Sequence, residues 1–288
     1  KEKKMGRIRR YINFYKYLFN ILPQSDTVFI HMIPAWVILA WPVAFIFRKK
    51  IYLWYTHKSA TFSLRFAEKL VARIFTASPE SCRLNSKKII VTGHGIDTEH
   101  FKPKDIPKDS NTIKLLTAGR TTFSKDYEFL INAIEIVIKK GHRAVLNIAG
   151  APATPTDFVY KKKLDNLIGQ KNLGKNINFL GAKTYAEMPD IYNNHDVLLH
   201  ASETGSLDKA VLEAMACGLL ILTTSEAFIG TLNVLPKEAN LMAEKIIQLK
   251  NAGKDLPVRQ AGLSLREIII QNHNLTNLIG KVLENIKI

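Results

Sequence analysis

Apolar residues recur along this chain in two alternating rhythms. Short apolar runs, of the length of buried parallel strands, occur at Thr27–Met32, Ile51–Thr56, Ile74–Ala77 and Lys88–Val91. Five more follow at Ile113–Ala118, Ala144–Ala149, Ile177–Leu180, Val197–His200 and Leu219–Thr223. Between them lie stretches with helical spacing: Ala60–Arg73, Tyr127–Lys140, Phe158–Ile168, Tyr185–Asn193, Leu207–Ala216 and Ala239–Leu249. Strand and helix alternate, which implies right-handed crossovers and parallel sheets. The polar, proline-bearing segment His100–Asn111 separates the two series and reads as a linker. The expected architecture is α/β, with two Rossmann-like parallel-sheet domains facing a cleft. Residues 1–105 form the first and 106–264 the second, and 265–288, helical in period, return to the first. Ser206 is the expected N-cap of the helix that follows it.

The N-terminal region adds a surface question. Ile8, Tyr11, Ile12, Tyr15, Leu18, Phe19 and Leu22 share one helical face, and Arg7, Arg9, Arg10 and Lys16 occupy the other. Such a helix packs on a sheet, lies on an anionic membrane, or does both. The apolar stretch Val28–Phe47 is about long enough to span a bilayer. Asp26, His31, Pro34 and Pro42 instead divide it into a strand, a turn and a short buried helix.

The chain has 288 residues, nearly half of them apolar, so it can bury a sizeable core. Its net charge of +16 favours anionic partners, such as nucleotide phosphates or an acidic membrane face. Nucleic acid is not expected, because few aromatics are interleaved with the basic residues of 1–16. The two cysteines, Cys82 and Cys217, lack CxxC spacing and fit a reducing cytoplasm. No Asp-x-Asp or His-x-His occurs, so no metal site is visible. The chain opens on Lys1 without a signal-peptide pattern, and a fragment lacking upstream sequence is the expectation.

Candidate chemistry concentrates in Glu203-Thr-Gly-Ser-Leu-Asp-Lys-Ala-Val-Leu-Glu213-Ala-Met-Ala-Cys-Gly218. A Gly/Ser turn that opens a helix between two strands presents free backbone N–H groups, which suit phosphate. Its carboxylates suit hydroxyl groups, and Glu213 could take both hydroxyls of a ribose. Gly119-Arg120 ends the first strand of the second domain, and Lys125 follows. Ligands of open α/β sheets sit at the carboxyl ends of strands, so Arg120 and Lys125 are expected in the same crevice as Gly205–Ser206. Arginine grips phosphate as a fork and lysine as a point charge.

Gly119-Arg120…Lys125 followed by Glu203-Thr-Gly-Ser…Glu213-Ala-Met-Ala-Cys-Gly218 resembles the retaining GT-B glycosyltransferases of family four. Gly93-His-Gly-Ile-Asp-Thr-Glu-His-Phe101 is similar to that family's signature at the end of the acceptor domain. The resemblance implies transfer of a hexose from a nucleoside diphosphate sugar to a glycan or lipid-linked hydroxyl, with retention and without metal or further cofactor. It implies Gly119, Arg120 and Lys125 at the diphosphate, Thr204, Gly205, Ser206 and Leu207 at phosphate or sugar, and Glu213 at ribose. Leu180 and Lys183 would flank the base, Glu203 would meet the sugar, and His57 would approach the sugar from the first domain. His31, on an earlier strand, is the structural histidine. Many relatives act on lipid-linked or cell-surface acceptors, so a cytoplasmic position on the inner membrane face is expected.

Two departures stand out. The family's two glutamates lie eight positions apart, but Gly205 stands eight before Glu213 and Glu203 ten before. Glu203 or Asp208 would have to serve, or the sugar is held differently. The family's N-terminal glycine-rich loop has no counterpart. A catalytically silent sugar-nucleotide-binding or scaffold protein is therefore the alternative. An NAD-dependent oxidoreductase would need G-x-G-x-x-G after a strand, which is missing.

Overall fold

The computed structural model describes residues 6–106, 111–202, 205–252 and 256–286. The chain divides into two compact units: one holds the chain up to His94 and again from Asn277, and the other is Gly95–Thr276.

In the first unit, strands β1 (Thr27–His31), β2 (Lys50–Trp54), β3 (Arg73–Thr76) and β4 (Ile89–Val91) form a parallel sheet in that order. Their alternation with helices α1 (Arg7–Ile21), α2 (Pro34–Ile46) and α3 (Phe62–Leu70) requires this topology. Thr61 starts α3 by accepting the Leu64 N–H. The apolar stretch 28–47 is β1, a turn and α2, and among the described residues no helix is long and apolar enough to cross a membrane. Helix α1 packs on α2 through the Phe14–Trp36 ring contact, and its Phe19 meets Phe47, the residue that caps α2. Its expected inner face is only partly used: Leu22 is buried just beyond the helix, while Ile8, Tyr11 and Ile12 are exposed.

The second unit carries β5 (Ile113–Ala118), β6 (Ala144–Ala149), β7 (Ile177–Gly181), β8 (Val197–His200) and β9 (Leu220–Thr223), all parallel, in the order β7-β6-β5-β8-β9. The chain runs outward from β5 in one direction, then returns to β5's other side at β8. The gap between the ends of β5 and β8 is thus the topological switch point, where a doubly wound sheet takes its ligand. Helices α4 (Tyr127–Lys139), α5 (Pro155–Gln170), α6 (Met188–Asn193), α7 (Lys209–Ala216), α8 (Ala239–Ala252) and α9 (Leu256–Asn272) complete the unit. One core lies under α4 and α8 with Leu130, Ile134 and Val137; another surrounds Val211, Leu212 and Met215 of α7.

Both expected boundaries move. Ile96 and Phe101 are fully buried in the core around α7, so the second unit begins at Gly95 and not at 106. His100–Asn111 is therefore not a free linker, although its residues 107–110 lie outside the described residues. The helical period from 265 onward is broken, with α10 (Leu275–Asn285) starting anew. Ile96 causes the break: its N–H donates to His273 O, and its carbonyl accepts from Leu275 N–H. Residues 265–276 consequently stay with the second unit, and the first takes only Asn277 onward.

Candidate functional site at the switch point

The segment after β5 builds one side of the site. Gly119 has φ +135, and a Cβ placed there would lie 2.8 Å from Lys125 Cε. The glycine therefore leaves room for the Lys125 stem to lie across the strand end. Its carbonyl accepts from the Tyr127 hydroxyl at 3.0 Å. Burial raises the Tyr127 phenol far above its ordinary value, and the nearby Asp208 carboxylate adds to this, so the hydroxyl remains a donor. Lys125 ends a short 3-10 turn, and Asp126, in the left-handed region, caps α4 by accepting the Phe129 N–H.

The segment after β8 builds the other side. Gly205 adopts φ +64, a turn conformation that suits glycine. Asp208, not Ser206, is the N-cap of α7, and its side chain accepts from Ala210 N–H. Ser206 falls two residues short of that role because the helix starts at Lys209. Lys125 Nζ pairs with Asp208 Oδ2, both side chains only 15% exposed, and joins the two strand ends. His200 Nε2 meets the same oxygen at 3.3 Å. Burial pushes the Asp208 carboxyl upward, but His200 and Lys125 outweigh it and hold the group well below the ordinary carboxylate range. With both oxygens engaged inward, Asp208 is not the free carboxylate that could replace the missing family glutamate. Glu203 and Thr204 lie outside the described residues.

Glu213, one turn further along α7, is half-buried and accepts from the Tyr192 hydroxyl at 3.0 Å. Burial raises its carboxyl above the usual value, a shift that the Tyr192 hydrogen bond partly offsets. It does not face open solvent, and among the described residues no lysine lies within salt-bridge distance of it; α6 supplies the buried tyrosine instead.

Arg120 follows Gly119, but its side chain is 57% exposed and lies 3.7 Å from Asp157. Asp157 is fixed in a capping box with Thr154 at the start of α5. Arg120 and Lys125 thus leave the same strand end towards different acidic partners. Leu180 packs at the edge of the α7 core, and Lys183 pairs with Glu187 at 3.4 Å. Ser206 is half-buried beside Gly205, and Leu207 is buried.

His57 belongs to the first unit, in the exposed turn after β2. Its Nδ1 accepts from Ser59 N–H at 3.1 Å, which leaves Nε2 as the donor of the neutral ring. The Tyr55 hydroxyl donates to Ser59 O at 2.8 Å and braces this turn. His31 ends β1 and is exposed, not a core histidine.

Sequence reasoning missed His200, Thr223 and Tyr192 as members of this polar floor. Their signal is faint: a histidine closing an apolar run, a threonine closing the next, and a tyrosine inside a short helix.

Several solved glycosyltransferases share this fold. HepE of Anabaena, determined with UDP and glucose, superposes with a TM-score of 0.79 at 16% identity, over 98% of this chain and 83% of that one. A glycosyltransferase of Rickettsia africae superposes with a TM-score of 0.79 at 18% identity, over 99% and 82% of the two chains. The two parallel sheets are those of the GT-B fold. Residues 98–253 match the family described as glycosyl transferases group 1, and the chain belongs to that family. Among relatives, the GPI3 subunit of phosphatidylinositol N-acetylglucosaminyltransferase from Saccharomyces cerevisiae is 27% identical over 66% of this chain and 42% of its own length. The putative colanic acid biosynthesis glycosyltransferase WcaL of Escherichia coli is 25% identical over 55% and 39%. The chain therefore spans about two-fifths of the length of these curated relatives.

Proposed function

We propose that this chain moves a hexose from a nucleoside diphosphate sugar to a hydroxyl of a glycan or lipid-linked acceptor, with retention at the anomeric carbon and without a metal. The observation that carries the reading is Lys125 meeting the N-terminal cap of α7 across the β5–β8 switch point. A cation at the cap of a helix that closely follows a glycine turn is complementary to a diphosphate. In this reading Lys125 and Arg120 take the diphosphate and offset charge as the C1–O bond breaks. Backbone N–H groups of 205–207 assist them. Each such preorganised donor contributes about 2.7–4 kcal/mol in comparable sites. Glu213 takes the ribose, Leu180 and Lys183 flank the base, Glu203 contacts the sugar, and His57, with its Nε2–H donor, is the first unit's own candidate catalytic residue. UDP in the Anabaena neighbour supports a uridine donor, and the phosphatidylinositol in the yeast relative's name supports a lipid acceptor.

The same proposal locates the chain in the cytoplasm, peripherally on the inner face of an anionic membrane. Ile8, Tyr11, Ile12 and Phe19 of α1 are exposed beside Lys16, the composition of an interfacial helix.

A thermal-shift panel of UDP-, GDP-, ADP- and dTDP-sugars tests the donor, with Lys125→Ala as control. One nucleotide series should stabilise the wild type, and the variant should lose that gain. No stabilisation by any of the four would end the reading. Stabilisation without transfer to any acceptor would favour the alternative, a silent sugar-nucleotide-binding protein, which the displaced glutamate spacing also supports.

A further inference from the structure

Four side chains beneath the switch point are linked by hydrogen bonds that converge on Asp208. The series begins at the backbone, where Ser225 N–H donates to Thr223 Oγ1 at 3.0 Å. Thr223 Oγ1 lies 3.0 Å from His200 Nδ1, and His200 Nε2 lies 3.3 Å from Asp208 Oδ2. Lys125 reaches that same oxygen from the other side. An ionised carboxylate only accepts, so Nε2 donates to it. Thr223 and His200 are buried, at 0% and 4% exposure. The outer three groups sit on β8, β9 and the α7 cap, whereas Lys125 comes from β5's side of the crevice.

This arrangement solves a problem that a diphosphate would create. Lys125 cannot serve an incoming anion fully while it neutralises Asp208. Releasing Asp208 without another donor would leave a largely buried carboxylate uncompensated, which is strongly unfavourable. His200 Nε2–H and Ala210 N–H are the donors that remain on it.

We propose that Asp208 is a positioning residue that holds the Lys125 ammonium at the strand end and yields it to the donor's diphosphate by anion exchange, with His200 keeping Asp208 after Lys125 leaves. The inference rests on the reading that the diphosphate binds at Lys125. It makes the two neighbours act in opposite directions. Removing the charge of Asp208 frees Lys125 and tightens diphosphate binding. Removing the His200 donor makes Asp208 hold Lys125 harder and weakens binding. A merely structural role for both would weaken binding in both variants.

Calorimetry on the full chain, with UDP and inorganic pyrophosphate as probes, decides. Lys125→Ala comes first: if the wild type binds neither probe, or the variant binds both equally well, the diphosphate reading itself fails. If Lys125→Ala weakens binding, Asp208→Asn is the next variant, since asparagine preserves the N-cap. It should bind UDP about tenfold more tightly, the low end for a hydrogen bond to a charged group. It should also turn over more slowly, because a diphosphate product held more tightly by Lys125 leaves more slowly. His200→Asn, which reaches Thr223 but not Asp208, should bind about tenfold more weakly on the same scale. His200→Gln, which can reach Asp208, should restore wild-type affinity. Weakening by Asp208→Asn, or affinities unchanged in both variants, overturns the inference and leaves the diphosphate reading standing. Should Asp208→Asn not fold, the two His200 variants decide alone, and equal affinities between them overturn it.

Discussion

Tyr192, fully buried in α6, donates its phenolic hydrogen to Glu213 on α7 at 3.0 Å. This bond ties the proposed ribose carboxylate to a rigid neighbour. Tyr192→Phe would leave an ionised, half-buried acceptor short of its donor, at a cost of about 1–3 kcal/mol in urea unfolding. The pH dependence has a definite sign. Burial lifts the folded carboxyl of Glu213 above its unfolded value, so the folded chain binds this proton more tightly. Stability from this group therefore falls as pH rises from about 4.3 through the folded value, and is level above it. Tyr192→Phe removes an opposing influence and should extend the fall to higher pH. Glu213→Gln should abolish it. A Glu213→Gln stability profile that parallels the wild type across this range would refute the assignment.

Gly150 directly follows β6 with φ +153, and a Cβ there would stand 1.8 Å from Gly119 O. That carbonyl belongs to the residue over which the Lys125 stem passes. Gly150→Ala should therefore destabilise the second unit by about 1–3 kcal/mol through overpacking, and should weaken UDP binding as well. Gly174→Ala is the matched control, because nothing lies within 4 Å of its added Cβ. Its effect should stay within about 0.5 kcal/mol. Thermal melts of the pair, with and without UDP, check both halves of the expectation.

The sheet was largely legible in the sequence because its central strands are mostly buried and read as short apolar-rich runs, as at Ile113–Ala118 and Ala144–Ala149, which only Lys114, Thr117 and Asn147 interrupt. Helix starts were less so, because competing caps decide them. Tyr185 has helical spacing, yet Glu187 accepts from Thr184 N–H and hydroxyl, so residues 184–187 form a turn and α6 begins only at Met188. Conversely, Thr154, Pro155 and Asp157 spell a capping box that extends α5 beyond the expected Phe158–Ile168. Gly119 and Lys125 could be placed by their strand end alone. The partners Asp157 of Arg120 and His200 of Asp208 could not, because strand order brings those segments together and local periodicity does not encode it.

Arg266 of α9 shows how the second unit secures its N-terminal segment. Its guanidinium donates to Phe101 O at 2.8 Å, Ala216 O at 2.5 Å and Thr98 O at 2.9 Å. A lysine carries a single ammonium and cannot reproduce that planar fork. Arg266→Lys should cost about 2–3 kcal/mol, the scale of one lost charge-assisted hydrogen bond. Gly262, one turn earlier, makes a sharper test. Glycine to alanine inside a helix ordinarily gains about 1 kcal/mol. Here the new Cβ would sit 2.3 Å from Gly218 O, so Gly262→Ala should lose stability instead. A gain in melting temperature would contradict the close approach of α9 to the end of α7.

Asp208 predicts the acid limb of the stability curve. His200 and Lys125 hold its folded carboxyl below the unfolded value against the opposing pull of burial. A depressed folded value contributes stability that is complete above the unfolded value of about 3.9 and is lost as pH falls through the folded one. Wild-type protein should therefore lose melting temperature as pH falls below about 5, and the loss should continue well below the unfolded carboxyl value because the folded one lies lower. Asp208→Asn keeps the cap but has no proton to take up. It should be less stable than the wild type at neutral pH, because Lys125 loses its counterion, and should show a shallower acid limb. The two curves then converge in acid. Parallel curves would mean that Asp208 is not an ionised partner of Lys125 in the folded chain.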